Sequence, residues 1–317
     1  MNGTILTGSR NIFTVRSDEG DNIASDIECR IKGKILKGAE DLYNPLAPGD
    51  RVKVELDTGH PGKGMIIALE ERKNVFSRFN QKGGAPQLLA ANVDLVLCMT
   101  TRVSPPFRPR FLDRVLLQAD IAGIPALVIC NKIDLDNEDC CISSLDIDER
   151  LDDFTRIGYE VIEISATMGR GLDELRQRIA GKRSVLTGQS GVGKSSLINA
   201  PLPELNIKTG TINEKYDRGN HTTTLASVAE ISPDTWLIDT PGIRRFVPDG
   251  IGADELVLNM REFAPFAGKC TFGLSCSHRI EPGCKIMEAV NAGVIHEDRY
   301  NSFLRIYDEL AGKNYAD

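Results

Sequence analysis

The sequence has little of what exported or membrane-spanning chains need. No apolar run approaches the roughly 18 residues that cross a bilayer. The longest, VDLVLCM and PALVIC, are strand-sized. The opening residues MNGTILTGSRNIF carry neither a basic leader with an apolar stretch nor an amphipathic Arg-rich pattern. No export signal or membrane association is therefore expected, and the cytoplasm is the expected compartment. Eight cysteines in 317 residues without a leader point to reduced thiols or metal ligands, not a disulfide framework. Tryptophan is nearly absent. The single Trp236 falls on a strand-like run and is expected in a core.

An excess of positive charge is missing too. Lys and Arg number 38 against 45 Asp and Glu, a net charge of −7. A phosphate backbone rewards clustered cations, so the overall balance weighs against a nucleic-acid binder. The average conceals local structure. Asp136, Glu138, Asp139, Asp146, Asp148, Glu149, Asp152 and Asp153 form a dense acidic stretch. Arg30, Lys32, Lys34 and Lys37, and later Arg244 and Arg245, form basic groups. Charge alone leaves RNA binding open.

What is present suits a folded protein of two or three domains. Hydrophobic residues make up 41% and charged residues 26%, which excludes collagenous, low-complexity and disordered chains. The first 70 or so residues read as short strands (GTILT, NIFTVRS, DIECRIKGKIL, DRVKVEL, GMIIALEE) with turns at Pro45, Pro48–Gly49 and HPGKG. Such spacing suggests a small β-barrel, for which the oligonucleotide-binding (OB) type is one candidate. FNQKGGAPQ reads as a linker. From Asn92, strand-like runs alternate with helix-like ones, the pattern of a parallel sheet covered on both faces. After about Gly250 the strands stop. ADELVLNMREFA and GVIHEDRYNSFLRIYDEL read as helices around a Cys/His cluster.

The segment RSVLTGQSGVGKSS matches a phosphate-binding loop, with a strand before it and a helix after it. Its residues are Gly188, Gln189, Ser190, Gly191, Val192, Gly193, Lys194, Ser195 and Ser196. Its glycines let backbone N–H groups curl around phosphates, and the helix N-terminus adds positive potential. Lys194 is expected to reach the β and γ phosphates, and Ser195 to ligate Mg²⁺.

Asn131-Lys132-Ile133-Asp134 follows the strand PALVIC. A carboxylate at Asp134 can accept both the ring N–H and the exocyclic amine of guanine, a paired donor edge that adenine lacks. Asn131 can brace the loop or contact the base, and the Lys132 stem can lie along the ring. Ser165 and Ala166 follow the strand EVIEIS, fitting a loop that meets the guanine carbonyl through its backbone. Asp239-Thr240-Pro241-Gly242 follows TWLI, so Asp239 would approach Mg²⁺ through water and the Gly242 N–H would sense the γ-phosphate.

The order of these elements is informative. In ordinary small GTPases the phosphate loop comes first and the NKxD element late. Here NKID and SA precede the phosphate loop, so the domain reads as circularly permuted. The chain leaving Gly242 then passes straight into the C-terminal region. Between phosphate loop and DTPG lies a polar, switch-like segment. One of Thr222 and Thr223 should ligate Mg²⁺, with Thr223 favoured. Ile243 stands where many GTPases carry a water-orienting Gln, which leaves His221 as the local candidate for orienting the attacking water.

Cys270, Cys276, His278 and Cys284 form C-x5-C-x-H-x5-C. Three thiolates and an imidazole suit tetrahedral Zn²⁺ as a closed structural site. The intervening residues have little apolar material to hold themselves together otherwise. Cys29, Cys98 and Cys130 read as small core residues on strands, and Cys140-Cys141 lies within the acidic stretch.

Taken together, NKID, SA, GQSGVGKSS, GNHTTT and DTPGI in this order, followed by the cysteine pattern with EPGC, resemble the RsgA (YjeQ/YloQ) family. The resemblance implies an N-terminal OB-type β-barrel (1–72), a central circularly permuted α/β P-loop GTPase domain (73–248) and a C-terminal helical zinc-binding domain (249–317). It implies GTP hydrolysis to GDP, stimulated by the small ribosomal subunit and supporting its late maturation. It also implies contacts to rRNA, one zinc per chain, Mg²⁺ with the nucleotide, a monomer, and His221, Lys194 and Thr223 as the catalytic group. Asn220 and the EKYD segment depart from the family pattern. Two rivals remain at this point: a permuted GTPase of large-subunit assembly, and a guanine-sensing RNA scaffold without turnover.

Overall fold

A computed structural model describes residues 1–9, 11–18, 26–33, 41–135, 144–200, 226–232 and 234–312. Five N-terminal strands, β1 (Asn2–Ser9), β2 (Ile12–Ser17), β3 (Ile27–Ile31), β4 (Arg51–Leu56) and β5 (Lys63–Leu69), run in the order β1-β2-β3-β5-β4. Pairing of Thr4 with Arg51 and Asn2 with Lys53 brings β4 back to β1 and closes an OB-type barrel. Alternate side chains point inward, as a period of two requires. Ile5, Phe13, Val15, Ile27, Cys29, Val52, Val54 and Ile66 fill the interior.

Between barrel and central sheet stand β6 (Val75–Asn80) and β7 (Ala85–Ala91), an antiparallel hairpin. The expected linker FNQKGGAPQ is thus a correction: it forms the hairpin's tip and the ends of both strands. Glycine and proline there mark a tight turn, not a free tether. The barrel grips this hairpin through its 43–50 segment. The Asn44 side chain donates to Leu88 O at 2.9 Å and accepts from Leu88 N at 2.9 Å. Gly49 has φ +92°, and a Cβ on it would lie 2.1 Å from Ala91 O, so only glycine fits the crossing. Arg72 clamps the fully buried Asp50 with two bonds at 2.7 and 2.8 Å.

The central domain contains β8 (Leu95–Thr101), β9 (Ala126–Asn131), β10 (Glu160–Ile164), β11 (Arg183–Gly188), β12 (Ser227–Ser232) and β13 (Thr235–Asp239). Their spatial order is β10-β9-β8-β11-β13-β12, parallel throughout except for β12. All seven residues of β8 are buried, because helices cover both faces. Val96 and Cys98 face a core shared with α1 (Pro109–Ile121) and α2 (Ser144–Arg156). Leu95, Leu97 and Met99 face α3 (Leu172–Ile179) and α4 (Lys194–Ile198). Cys130 and Trp236 are core residues of this sheet, and Cys29 of the barrel, as expected.

Half of the acidic stretch is α2, a helix that its dense charge masks in the sequence. Ile147, Leu151 and Phe154, at helical spacing, enter the core beneath it. That buried face carries charge as well, with the Arg150 guanidinium 4.8 Å from the Phe154 ring centroid. Arg150 and Asp153 are buried, Arg150 Nη2 donating to Asp113 of α1 at 3.1 Å.

Beyond Gly250 the described residues form three α-helices, α5 (Leu256–Asn259), α6 (Lys285–Asn291) and α7 (Glu297–Leu310). The helix expected over ADELVLNMREFA is only four residues long, and Pro265 lies in the short 3₁₀ turn after it. Leu117 of α1 belongs to the C-terminal core, so α1 is shared between two units. The seam also buries charge. Arg299 of α7 donates to Asp113 at 2.8 Å and to Glu262 at 2.5 and 2.9 Å.

Candidate nucleotide site and metal centre

The parallel sheet carries its loops to one end, where ligands of such folds bind. β11 ends at Gly188 and α4 begins at Lys194, so the phosphate loop spans the turn between them. Lys194 is 8% exposed, and its ammonium is held by Gly188 O at 2.9 Å and Gln189 O at 3.1 Å. Burial pulls its pKa down, while the nearby Asp239 carboxylate opposes the shift. An anion delivered here would relieve that cost. Gln189 Nε2 and Thr187 Oγ1 are buried without a hydrogen-bond partner among the described residues, consistent with a polar ligand completing the site. Ser195 and Ser196 are exposed at the helix start.

Asn131 stands at the centre of the loops. Its Nδ2 donates to Val192 O at 2.9 Å, and its Oδ1 accepts from Ala166 N at 3.0 Å. Of its two expected roles, the structure exhibits bracing: one amide joins the phosphate loop to the Ser165-Ala166 loop. Ala166 N–H is engaged by this bond. Ser165 is fully buried, and its Oγ accepts from Met168 N at 3.1 Å, shaping the turn. Lys132 has φ +66°, and its ammonium donates to Ser104 O and Gly191 O, both at 2.7 Å. Asp134, in the 3₁₀ turn Ile133–Leu135, leaves its carboxylate exposed.

Asp239 ends β13 and is buried, and Thr240 bonds back to Leu186 O. Gly242 packs on the phosphate loop, where a Cβ would lie 3.1 Å from Ser190 Cα. Ile243 is buried. The hydroxyl of Ser195 and the carboxylate of Asp239 are the oxygen donors Mg²⁺ prefers. His221, Thr222, Thr223, Asn220 and Cys140-Cys141 lie outside the described residues.

Sequence reasoning missed Ser104. It contributes only a backbone carbonyl, which leaves no trace in residue type. The sole signal is the Pro105-Pro106 pair, which marks a fixed turn beside β8.

The four expected metal ligands converge. The Cys270, Cys276 and Cys284 sulfurs and the His278 nitrogen all lie within 4.8 Å of one another, and all four residues are buried. Cys270 Sγ is 3.6 Å from His278 Nδ1 and 3.9 Å from Cys284 Sγ, and Cys284 Sγ is 3.5 Å from His278 Nδ1. A tetrahedral ion with metal–sulfur bonds of about 2.3 Å and metal–nitrogen bonds of about 2.0 Å sets edges of roughly 3.5–3.8 Å. The cluster fits such an ion. Backbone N–H groups support the sulfurs: Lys285 N reaches Cys270 Sγ at 3.3 Å and Met287 N reaches Cys284 Sγ at 3.5 Å. Burial pushes the Cys276 thiol up to about 12, so a thiolate there calls for a cation. The loop between His278 and Cys284 is fixed by Glu281, which accepts from Ser277 N at 2.9 Å and Arg279 N at 3.0 Å. Tyr300 Oη donates to His278 O at 2.7 Å, tying the centre to α7.

A family model described as RsgA GTPase matches residues 69–247. The chain belongs to the RsgA GTPase family. It is therefore a GTP hydrolase by family. A Flavobacterium johnsoniae protein named small ribosomal subunit biogenesis GTPase RsgA is 38% identical, over 97% of this chain and 93% of that one. The Bacteroides thetaiotaomicron protein named small ribosomal subunit biogenesis GTPase RsgA 2 is 35% identical, over 99% of each. Among solved structures, YjeQ from Thermotoga maritima superposes with a TM-score of 0.71 at 29% identity, covering 99% of both chains. YloQ, described as a circularly permuted GTPase, gives 0.67 over 100% of this chain and 96% of that one. At 24% identity this likeness speaks to the fold alone. Among the described residues, no helix is long and apolar enough to cross a membrane.

Proposed function

We propose that this RsgA-family chain is a GTPase of the cytoplasm that binds the small ribosomal subunit and assists its late maturation. The observation that carries this reading is the meeting of phosphate loop and base-side loops on Asn131 within a chain matched almost end to end by relatives named for small-subunit biogenesis. Residues 1–72 and 249–317 would contact rRNA, with residues 73–248 as the GTPase domain. Lys194 and the backbone of 188–193 hold the phosphates, and Asp134 reads guanine. Ser195, Asp239 and Thr223 hold Mg²⁺, which neutralises phosphate charge when bound. Gly242 N–H senses the γ-phosphate, and His221 orients the water whose oxygen attacks the γ-phosphorus as GDP leaves. Cys270, Cys276, His278 and Cys284 hold one structural zinc. The protein acts as a monomer.

Turnover of GTP, measured with and without purified small subunits and with ATP as control, tests the reading. Turnover should be slow alone and rise on adding small subunits. Large subunits should leave it unchanged, and His221→Ala should lower stimulated turnover while leaving GTP affinity nearly intact. Equal stimulation by large subunits would sink the proposal.

A further inference from the structure

Arg102 follows β8, and its side chain bonds to β10 just before the Ser165-Ala166 loop and to α2. It directly follows Thr101, the β8 residue paired with Asn131. Its side chain is 11% exposed, and its fork spans two elements. Nη1 meets Asp148 of α2 at 2.6 Å, and Nη2 meets Glu163 of β10 at 2.5 Å. Glu163 precedes Ser165 by two residues, and among the described residues α2 is the next α-helix after the turn that carries Asp134. The backbone around Arg102 reaches the same site. Phe107 N donates to Arg102 O at 3.2 Å, and Thr101 Oγ1 donates to Pro105 O at 2.6 Å. The loop so closed offers Ser104 O to the Lys132 ammonium.

We infer that Arg102 is a positioning residue of the guanine pocket. Its guanidinium ties β10, just before the Ser165-Ala166 loop, to α2, while its backbone carbonyl helps close the Ser104 turn that locates Lys132. A planar fork with a fixed donor geometry can hold two separate carboxylates in register, which a flexible ammonium does less well. The inference rests on the guanine reading of Asp134. An ion pair that merely adds stability would leave base selectivity alone, whereas a pair that places Asp134 would change it.

The full-length protein is tested with GDP and inosine diphosphate, which lacks the exocyclic amine and so forgoes one bond to Asp134. The readouts are equilibrium affinity, release rate and thermal melting. Wild type should prefer GDP. Arg102→Met should release GDP faster and cut the GDP-over-inosine preference about fivefold, the scale of coupling between residues in contact. Arg102→Lys should fall between the two. Asp148→Ala with Glu163→Ala removes the same ties from the other side, should reproduce the loss, and carries the test if Arg102→Met does not fold. An unchanged preference in a folded variant overturns the inference alone. A wild type without GDP preference removes the guanine reading and this inference with it.

Discussion

Gly193 and Asn131 leave no room between them: a Cβ on Gly193 would lie 2.3 Å from Asn131 Nδ2. Gly193 also has φ +98°, a conformation costly for any residue with a side chain. Gly193→Ala should therefore push the amide away from Val192 O and strain the start of α4. We expect a loss of about 1–3 kcal/mol in stability and a fall in GDP affinity of at least about tenfold. Denaturant titration and fluorescent-nucleotide binding read the two effects separately.

Asp113 accepts from Arg150 and Arg299 while itself fully buried. Removing it would leave two buried guanidinium groups sharing fewer carboxylates, with Glu262 remaining for Arg299 and Asp153 for Arg150. Asp113→Ala should cost about 3–5 kcal/mol, the scale for breaking a buried ion pair from one side. Asp113→Asn retains an oxygen acceptor and should cost less. Thermal melts of both variants beside wild type decide it.

Cys284 serves the metal cluster and also caps α6 through Met287 N. For the proposed zinc site, Cys284→Ser should drop the metal content from about one ion per chain to near zero, as loss of a thiolate opens the tetrahedron. Elemental analysis measures the stoichiometry. Hydrogen exchange should rise across 270–284 and at Tyr300, whose hydroxyl bonds His278 O, while β8 stays protected.

The Glu281 carboxyl is pulled down from 4.5 to about 2, chiefly by the Ser277 hydroxyl and then by backbone N–H groups. A depressed carboxylate pKa stabilises the fold above the unfolded value and loses that contribution as pH falls through the folded one. Wild type should lose its advantage over Glu281→Gln between about pH 4.5 and 2. Metal release affects both proteins, so the difference between their pH–stability curves isolates the carboxyl.

Much of this was legible because the signals were local. A phosphate loop needs glycines and a lysine at fixed intervals, and the run from Gly188 to Ser195 displays them without help from the rest of the chain. The Cys/His spacing likewise announced a cluster that the fold then assembled. The bracing role of Asn131 was open in the sequence, because an amide that joins two loops looks the same as one that contacts a base. Ser104 was invisible for a firmer reason: a backbone carbonyl has no side-chain signature. The helix at 144–156 was hidden under its own charge, although Ile147, Leu151 and Phe154 kept the helical interval. Tertiary pairing also decided FNQKGGAPQ, since whether a Gly-rich segment turns or dangles depends on what flanks it.

Residue Thr7 of β1 pairs with Ser227 of β12, and Arg16 of β2 forms an ion pair with Glu230. These contacts place the barrel against the outer margin of the central sheet. Excising the first 72 residues would therefore uncover the edge of β12 at Ser227 and free Ala226 O, which now accepts from the Thr7 hydroxyl, opening that edge to pairing with another strand. The N-terminal unit thus also shields the edge of the central sheet, and trimming it should lower solubility.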